Sequence, residues 1–212
     1  MAVDLEALRR DYQAGQLTEE AAGDDPLALF TQWLEDAHAS EQLEPNAMTL
    51  ATVDEMGCPH ARIVLLKGHQ GRAFHFYTNY LSHKGEQLLV SPRAALCFWW
   101  DRLERQVRIE GTVEKLSDAE NDGYFQERPR GSRLGAWASR QSTVITDHTE
   151  LTDAMAELET TYSDHVPRPP HWGGYAVTAT RIEFWQGRSS RLHDRLDYTF
   201  NGSHWNRVRR AP

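Results

Sequence analysis

Five residues near the C-terminus, Arg191-Leu192-His193-Asp194-Arg195, have the types and spacing to do chemistry. On an extended strand, alternate side chains share a face. Arg191, His193 and Arg195 would then point one way, and Leu192 and Asp194 the other. Two guanidiniums flanking an imidazole make a receptor for an anion, because each guanidinium offers a rigid fork of donors matched to phosphate or carboxylate. The same run also suits a solvated edge strand whose charges deter aggregation, so the run alone leaves both readings open.

Other candidates recur along the chain. Arg62-Ile63-Val64-Leu65-Leu66-Lys67 is an apolar run bounded by cations. Positions 62 and 67 would face opposite ways on a regular strand, so a shared site needs a bulge or the reach of lysine. Tyr77-Thr78-Asn79 ends one predicted strand and Ser82-His83-Lys84 opens a helix, whose free N–H groups suit a phosphate. A lysine in that first turn opposes the helix dipole unless an anion offsets it. Tyr124, Arg128 and Ser132 recur every four residues, which on one helix would align a phenol, a guanidinium and a hydroxyl, though Pro129 interrupts it. Gln106, Gln141, Ser142, Trp172 and Trp185 read, one by one, as surface amides or hydroxyls and core or rim aromatics.

Composition narrows the field. The chain has 212 residues, 40% hydrophobic and 25% charged, as in ordinary globular proteins. The formal net charge of −8 disfavours nonspecific binding to nucleic acid or membrane surfaces, so an anionic ligand must be held by local cations. No apolar run is long enough to span a bilayer. The first residues lack an apolar signal region. Two cysteines, Cys58 and Cys97, provide neither a metal cage nor a disulfide framework, and a reducing, cytoplasmic setting fits. The ten histidines show no ligand spacing with cysteines, so no metal is expected. There is no G-x-G-x-x-G, Walker loop, H-E-x-x-H or G-x-S-x-G, so any nucleotide cofactor is not held in the Rossmann manner.

The elements that must position these residues follow from periodicity. Residues 4–14 read as a short polar helix, and 13–25 as a mobile linker. Asp25-Pro26 opens a helix carrying Leu27, Phe30, Trp33, Leu34 and Ala37. Strands are predicted at 48–53, 60–66, 73–78, 94–100, 106–116, 174–185, 191–200 and 203–209. Helices are predicted at 82–89, after the capping box Ser117-Asp118-Ala119-Glu120, and at 149–162. Residues 130–142 read as irregular. Short-spaced, mainly antiparallel strands with peripheral helices suggest a β-barrel in one domain, residues 26–212, preceded by a segment of 25 residues.

Together these motifs resemble the pyridoxine/pyridoxamine 5′-phosphate oxidase family. The likeness runs through Leu8-Arg9-Arg10-Asp11-Tyr12, Asp25-Pro26-Leu27, Arg62-Ile63-Val64-Leu65-Leu66-Lys67, Phe76-Tyr77-Thr78-Asn79, Leu103-Glu104-Arg105-Gln106-Val107, Arg128-Pro129-Arg130, Ala138-Ser139-Arg140-Gln141-Ser142, Trp172-Gly173-Gly174, Ile182-Glu183-Phe184-Trp185-Gln186-Gly187, the 191–195 run and the closing Ala211-Pro212. The resemblance implies an FMN-binding split β-barrel homodimer with FMN at the subunit interface and both chains contributing. It assigns FMN to Arg62, Lys67, Tyr77, Thr78, His83, Lys84, Gln106, Gln141, Ser142, Trp185 and Arg195. It assigns the substrate phosphate to Lys67, Tyr124, Arg128 and Ser132, the substrate ring to Arg191 and His193, which are also the catalytic candidates, and a closing lid within residues 1–25 to Arg9 and Tyr12. The implied reaction oxidises the C4′ carbon of pyridoxamine or pyridoxine 5′-phosphate to pyridoxal 5′-phosphate, with oxygen becoming hydrogen peroxide. One position departs from the family: His83 stands where arginine is usual, which implies weaker, more pH-dependent grip on the FMN phosphate. The competing expectations are a phenazine-biosynthesis-type FMN oxidase and a non-catalytic carrier of flavin or pyridoxal phosphate.

Overall fold

The computed structural model describes residues 3–5, 7, 8 and 10–212. Two compact units interleave along the chain: residues 1–49, 95–110 and 179–212 form one, and 50–94 and 111–178 the other. The elements are α1 (Glu19–Ala22), α2 (Pro26–Ala39), β1 (Ala47–Val53), β2 (Pro59–Leu65), β3 (Gly68–Gln70), β4 (Ala73–Asn79), α3 (His83–Val90), β5 (Arg93–Trp100), β6 (Arg105–Lys115), α4 (Asp118–Glu127), α5 (Arg130–Ala138), α6 (Thr149–Thr161), β7 (Trp172–Gln186), β8 (Asp194–Phe200) and β9 (Trp205–Arg209). Hydrogen bonding orders the strands β2-β1-β5-β6-β7-β4-β3, with β8 on β7 and β9 on β8.

In the first unit, Asp25 caps α2 by accepting from the Leu27 N–H at 2.9 Å, with Pro26 in the first turn. The spacing of Leu29, Phe30, Trp33 and Ala37 buries one face of this helix. Phe30 packs against Phe98 at 5.3 Å between ring centroids, and Trp33 meets Phe184 edge-on at 5.2 Å. Emptying the fully buried Phe30 position with alanine costs about 3–5 kcal/mol.

In the second unit, Phe74 and Phe76 alternate inward along β4, which pairs antiparallel with β7 so that Tyr77 sits opposite Gly174 and Asn79 opposite Trp172. The β1–β2 connection is tightened by Asp54, whose carboxylate accepts from the Met56 and Cys58 N–H groups at 3.0 and 2.8 Å. At the start of α3, a side chain on Gly85 would put its Cβ 2.1 Å from the Tyr80 carbonyl oxygen, so only glycine lets this turn close down. The capping box at Ser117 and Glu120 forms as the sequence predicts.

Four expectations are corrected. Described residues between 4 and 14 contain no helix; local polarity gave no apolar face to bury. The supposed linker 13–25 instead carries α1 and buries Leu17 and Ala22. Residues 130–138 form a helix, α5, despite Gly131 and Gly135, because Leu134 is buried in a cluster with Phe125, Val166 and Trp172. Tertiary burial there overrides weak helix propensity. Finally, the strand predicted from 191 begins at Asp194. Residues Ser189–Arg191 make a short 3-10 turn in which Ser190 and Arg191 have φ of +56° and +61°. Arg191, His193 and Arg195 therefore do not share one face of a strand. Left-handed backbone at non-glycine residues is strained and is most often retained at functional loops.

Candidate functional site

The second unit contains a cavity of about 990 Å³. It gathers eleven of the predicted residues. Arg62 comes from β2, Tyr77 and Thr78 from β4, and His83 and Lys84 from the first turn of α3. Lys67 lies after β2 ends and before β3 begins, which breaks strand alternation and lets positions 62 and 67 line the same space. Tyr124, Arg128 and Ser132 line it too. They belong to α4, its C-cap and α5, so the break at Pro129 does not scatter them. Gln141 and Ser142 follow α5, with Ser142 at φ +74° accepting from the His83 N–H at 3.3 Å.

The electrostatics of this cavity are lopsided. Lys84 is buried, and its ammonium donates to Thr78 Oγ1, Ser82 Oγ and Gln141 Oε1 at 3.0, 3.0 and 2.9 Å. All three acceptors are neutral. Burial, with the nearby Arg62 charge, pushes its pKa down to about 8. Among the described residues, Arg62 donates to the Leu50 carbonyl, the Thr52 hydroxyl and the Gln87 amide oxygen, and burial lowers its pKa too. Arg128 lies 4.5 Å over the Trp172 ring, and its buried Nη1 has no hydrogen-bond partner. Among the described residues, none of Arg62, Lys67, Lys84 and Arg128 is paired with a carboxylate. Lys84 and Arg62, partly or wholly desolvated and held by neutral groups, plus the orphaned Arg128 N–H, fit an anionic ligand.

One wall is aromatic. Tyr77 stacks on Tyr124 at 4.0 Å and on Trp172 at 5.4 Å, with the three rings nearly parallel. Trp172 props Arg128 from below, a role that its sequence neighbourhood did not disclose. Thr52 and Gln87 were likewise missed. Gln87 carried one readable signal: it lies three residues after Lys84, on the same face of α3.

The remaining described candidates lie in the first unit. Trp185, His193 and Tyr12 form a cluster, with ring centroids at 4.6 Å for Trp185–His193, 5.8 Å for Tyr12–Trp185 and 5.7 Å for Tyr12–His193. Tyr12 rests on Gly187, where a Cβ would come within 2.8 Å of its ring. The Arg188 backbone N–H donates to His193 Nδ1 at 3.1 Å. A backbone N–H only donates, so Nδ1 keeps its lone pair and Nε2 bears the proton. Arg195 is locked to buried Glu183, with contacts of 3.3 and 2.8 Å, and donates to the Ala211 carbonyl at 2.9 Å. Arg191 is exposed on its strained turn, and Gln106 is half-buried on β6. Arg9 lies outside the described residues.

Residues 34–162 match the family model described as pyridoxamine 5′-phosphate oxidase, and residues 172–212 match that of the pyridoxine 5′-phosphate oxidase C-terminal dimerisation region. The chain belongs to the pyridoxamine 5′-phosphate oxidase family. A pyridoxine/pyridoxamine 5′-phosphate oxidase of Ectopseudomonas mendocina is 58% identical, with 100% of each chain covered. Another family member of that name, from Thermosynechococcus vestitus, is also 58% identical over 97% of each chain. Among solved structures, PhzG of Burkholderia lata, in complex with tetrahydrophenazine-1-carboxylic acid, superposes with a TM-score of 0.88 at 30% identity, covering 93% of this chain and 98% of that one. A pyridoxamine 5′-phosphate oxidase-related, FMN-binding protein of Nostoc punctiforme shares the fold at 18% identity and a TM-score of 0.71. The fold is the family's split β-barrel. Among the described residues, no helix is long and apolar enough to cross a membrane.

Proposed function

We propose that this chain is an FMN-dependent oxidase that converts pyridoxamine or pyridoxine 5′-phosphate to pyridoxal 5′-phosphate, working as a homodimer with FMN at the subunit interface. The alcohol gives the aldehyde and hydrogen peroxide from one oxygen. The amine also consumes one water and releases ammonia. A cytoplasmic setting belongs to the same reading and is supported by two free cysteines. The observation that carries the proposal is the convergence of four cations without carboxylate partners on one aromatic-walled cavity.

FMN, when bound, supplies the hydride acceptor and the route for electrons to oxygen. Arg62, His83, Lys84, Thr78, Gln141 and Ser142 would hold its phosphate and polar edge, with Tyr77 beside them. Gln106, Trp185 and Arg195 would complete its binding set. Lys67, Tyr124, Arg128 and Ser132 would grip the substrate phosphate. Arg128 is suited to this because its Nη1 is already desolvated and unpartnered. Arg191 and His193 would orient the substrate ring, and the His193 Nε2–H is the proton that a substrate oxygen or nitrogen can accept. Arg9 and Tyr12 would belong to a lid segment within residues 1–25, which supports exclusion of water by the Tyr12 contact on Trp185 and His193.

Oxygen uptake by the purified, FMN-loaded protein tests this. Consumption with pyridoxamine or pyridoxine 5′-phosphate, accompanied by hydrogen peroxide and pyridoxal 5′-phosphate, is expected. A yellow protein inert to both would overturn it in favour of a phenazine-type oxidase or a carrier.

A further inference from the structure

We propose that Thr52 and Gln87 form a charge-neutral clamp that positions the Arg62 guanidinium for an anionic ligand, and that the clamp's neutrality sets the anion affinity of the cavity. The inference rests on the proposed use of the cavity for the FMN phosphate. Thr52 on β1, Arg62 on β2 and Gln87 on α3 close a ring of hydrogen bonds. Arg62 Nη1 donates to Thr52 Oγ1 at 2.5 Å, and Arg62 Nη2 donates to Gln87 Oε1 at 3.2 Å. The Thr52 hydroxyl, its lone pair taken by Arg62, donates its own proton to Gln87 Oε1 at 2.6 Å. The Leu50 carbonyl accepts a further bond from Nη1 at 3.2 Å. Thr52 and Gln87 are 1% and 8% exposed, so water does not compete for these bonds.

A guanidinium has five N–H donors. The clamp takes three, leaving one on Nε and one on Nη2 for a ligand. It fixes the direction of the fork without neutralising its charge. Gln87 also ties α3 to β2, and α3 carries Lys84, so one amide registers both cations against the cavity. A glutamate at position 87 has nearly the same shape and accepts the same bonds, but it would pair with Arg62 as an ion and compete with a phosphate. A role in packing alone predicts no effect of that exchange; the proposal predicts a large one.

The experiment titrates apo-protein with FMN and, in parallel, with riboflavin, which lacks the phosphate, and follows tryptophan quenching. Gln87→Glu is expected to weaken FMN by about 10- to 100-fold, the range for losing a hydrogen-bonded charge interaction, while riboflavin affinity stays within about 2-fold. Thr52→Val should weaken FMN by roughly 5- to 10-fold, and Thr52→Ser should restore it. The Thr52 pair carries the test if Gln87→Glu does not fold. FMN binding unchanged in Gln87→Glu, or FMN and riboflavin weakened alike, would overturn the clamp while leaving the oxidase reading intact. A wild-type protein that binds FMN no better than riboflavin would overturn both.

Discussion

Replacing Lys84 with methionine should stabilise the apo-protein at neutral pH while weakening its cofactor. Burial lowers the Lys84 pKa from 10.5 to about 8, and at 1.36 kcal/mol per unit this amounts to roughly 3 kcal/mol of cost for keeping the charge in the fold. Methionine removes that cost with similar shape. Three donated hydrogen bonds are lost, but Ser82 Oγ still donates to Asn79 O and Thr78 Oγ1 still donates to Gln141 Oε1, so the loss is about 1 kcal/mol. The net expectation is a gain of about 2 kcal/mol at pH 7. Because the folded pKa lies below the unfolded one, the unfolded state binds more protons between about pH 8 and 10.5, and wild-type stability rises with pH across that window. The advantage of Lys84→Met should therefore be constant below pH 8 and shrink by about 2 kcal/mol by pH 9.5. Urea unfolding followed by tryptophan fluorescence, at fixed protein concentration from pH 7 to 9.5, measures both. FMN affinity should move the other way, falling about 10- to 100-fold in the variant at pH 7. A variant less stable than wild type at pH 7, or an advantage that does not shrink above pH 8, would refute the reasoning.

Four further outcomes are expected. Arg128→Met should raise KM for the phosphorylated substrate by about 10- to 100-fold, with FMN affinity little changed, as steady-state kinetics and flavin titration would read. His83→Arg should tighten FMN, since a guanidinium offers phosphate a rigid fork of donors and a permanent charge; unchanged affinity would remove His83 from the phosphate site. Arg191→Ala and His193→Ala should each lower kcat/KM by about 100-fold or more while the protein remains yellow, and intact oxidation would exclude either from the reacting centre. A chain ending at Arg210 loses the Ala211 carbonyl that receives the Arg195 Nη1, and its FMN affinity should fall by roughly 3- to 10-fold on titration.

Most strands and the α2, α3, α4 and α6 helices were legible because period and punctuation agree: Asp25-Pro26 and Ser117 with Glu120 are local signals with local causes. What escaped has non-local causes. Helix α5 exists because Leu134 reaches Phe125 and Trp172, residues that its glycine-rich segment does not announce. The strand read from Arg191 starts three residues late because Arg191 belongs to a turn, and nothing in Ser-Ser-Arg announces its positive φ. The site divided similarly. Arg62, Lys67, Lys84 and Arg128 stand out by residue type and spacing and take their roles from the family resemblance, whereas Thr52 and Gln87 act only through a bond ring formed in three dimensions.

Arginine identity is thus a poor guide to function, and the partner of each arginine is a better one. Arg181 and Arg210 share the fully buried Asp197, Arg209 joins Glu19 and Asp194, Arg168 joins Asp118 and Asp122, and Arg105 joins Asp36. Their charges are spent within the fold, where they fix strands and helices to one another. Among the described residues, Arg62 and Arg128 have no carboxylate partner; they are oriented by an amide, a hydroxyl, a carbonyl and an indole face. In a chain of net charge −8, carboxylates are abundant, and Glu127 itself lines this cavity, so leaving Arg62 and Arg128 without a carboxylate partner is a property of the fold rather than of composition. Only a cation left unneutralised retains enough field to draw a dianionic phosphate against that global charge. Arg195 stands between the two classes. It is predicted to touch the flavin, yet Glu183 already offsets its charge. Its contribution should therefore be directional hydrogen bonding rather than charge, so Arg195→Lys, which keeps the charge and loses the fork, should impair FMN binding nearly as much as Arg195→Ala.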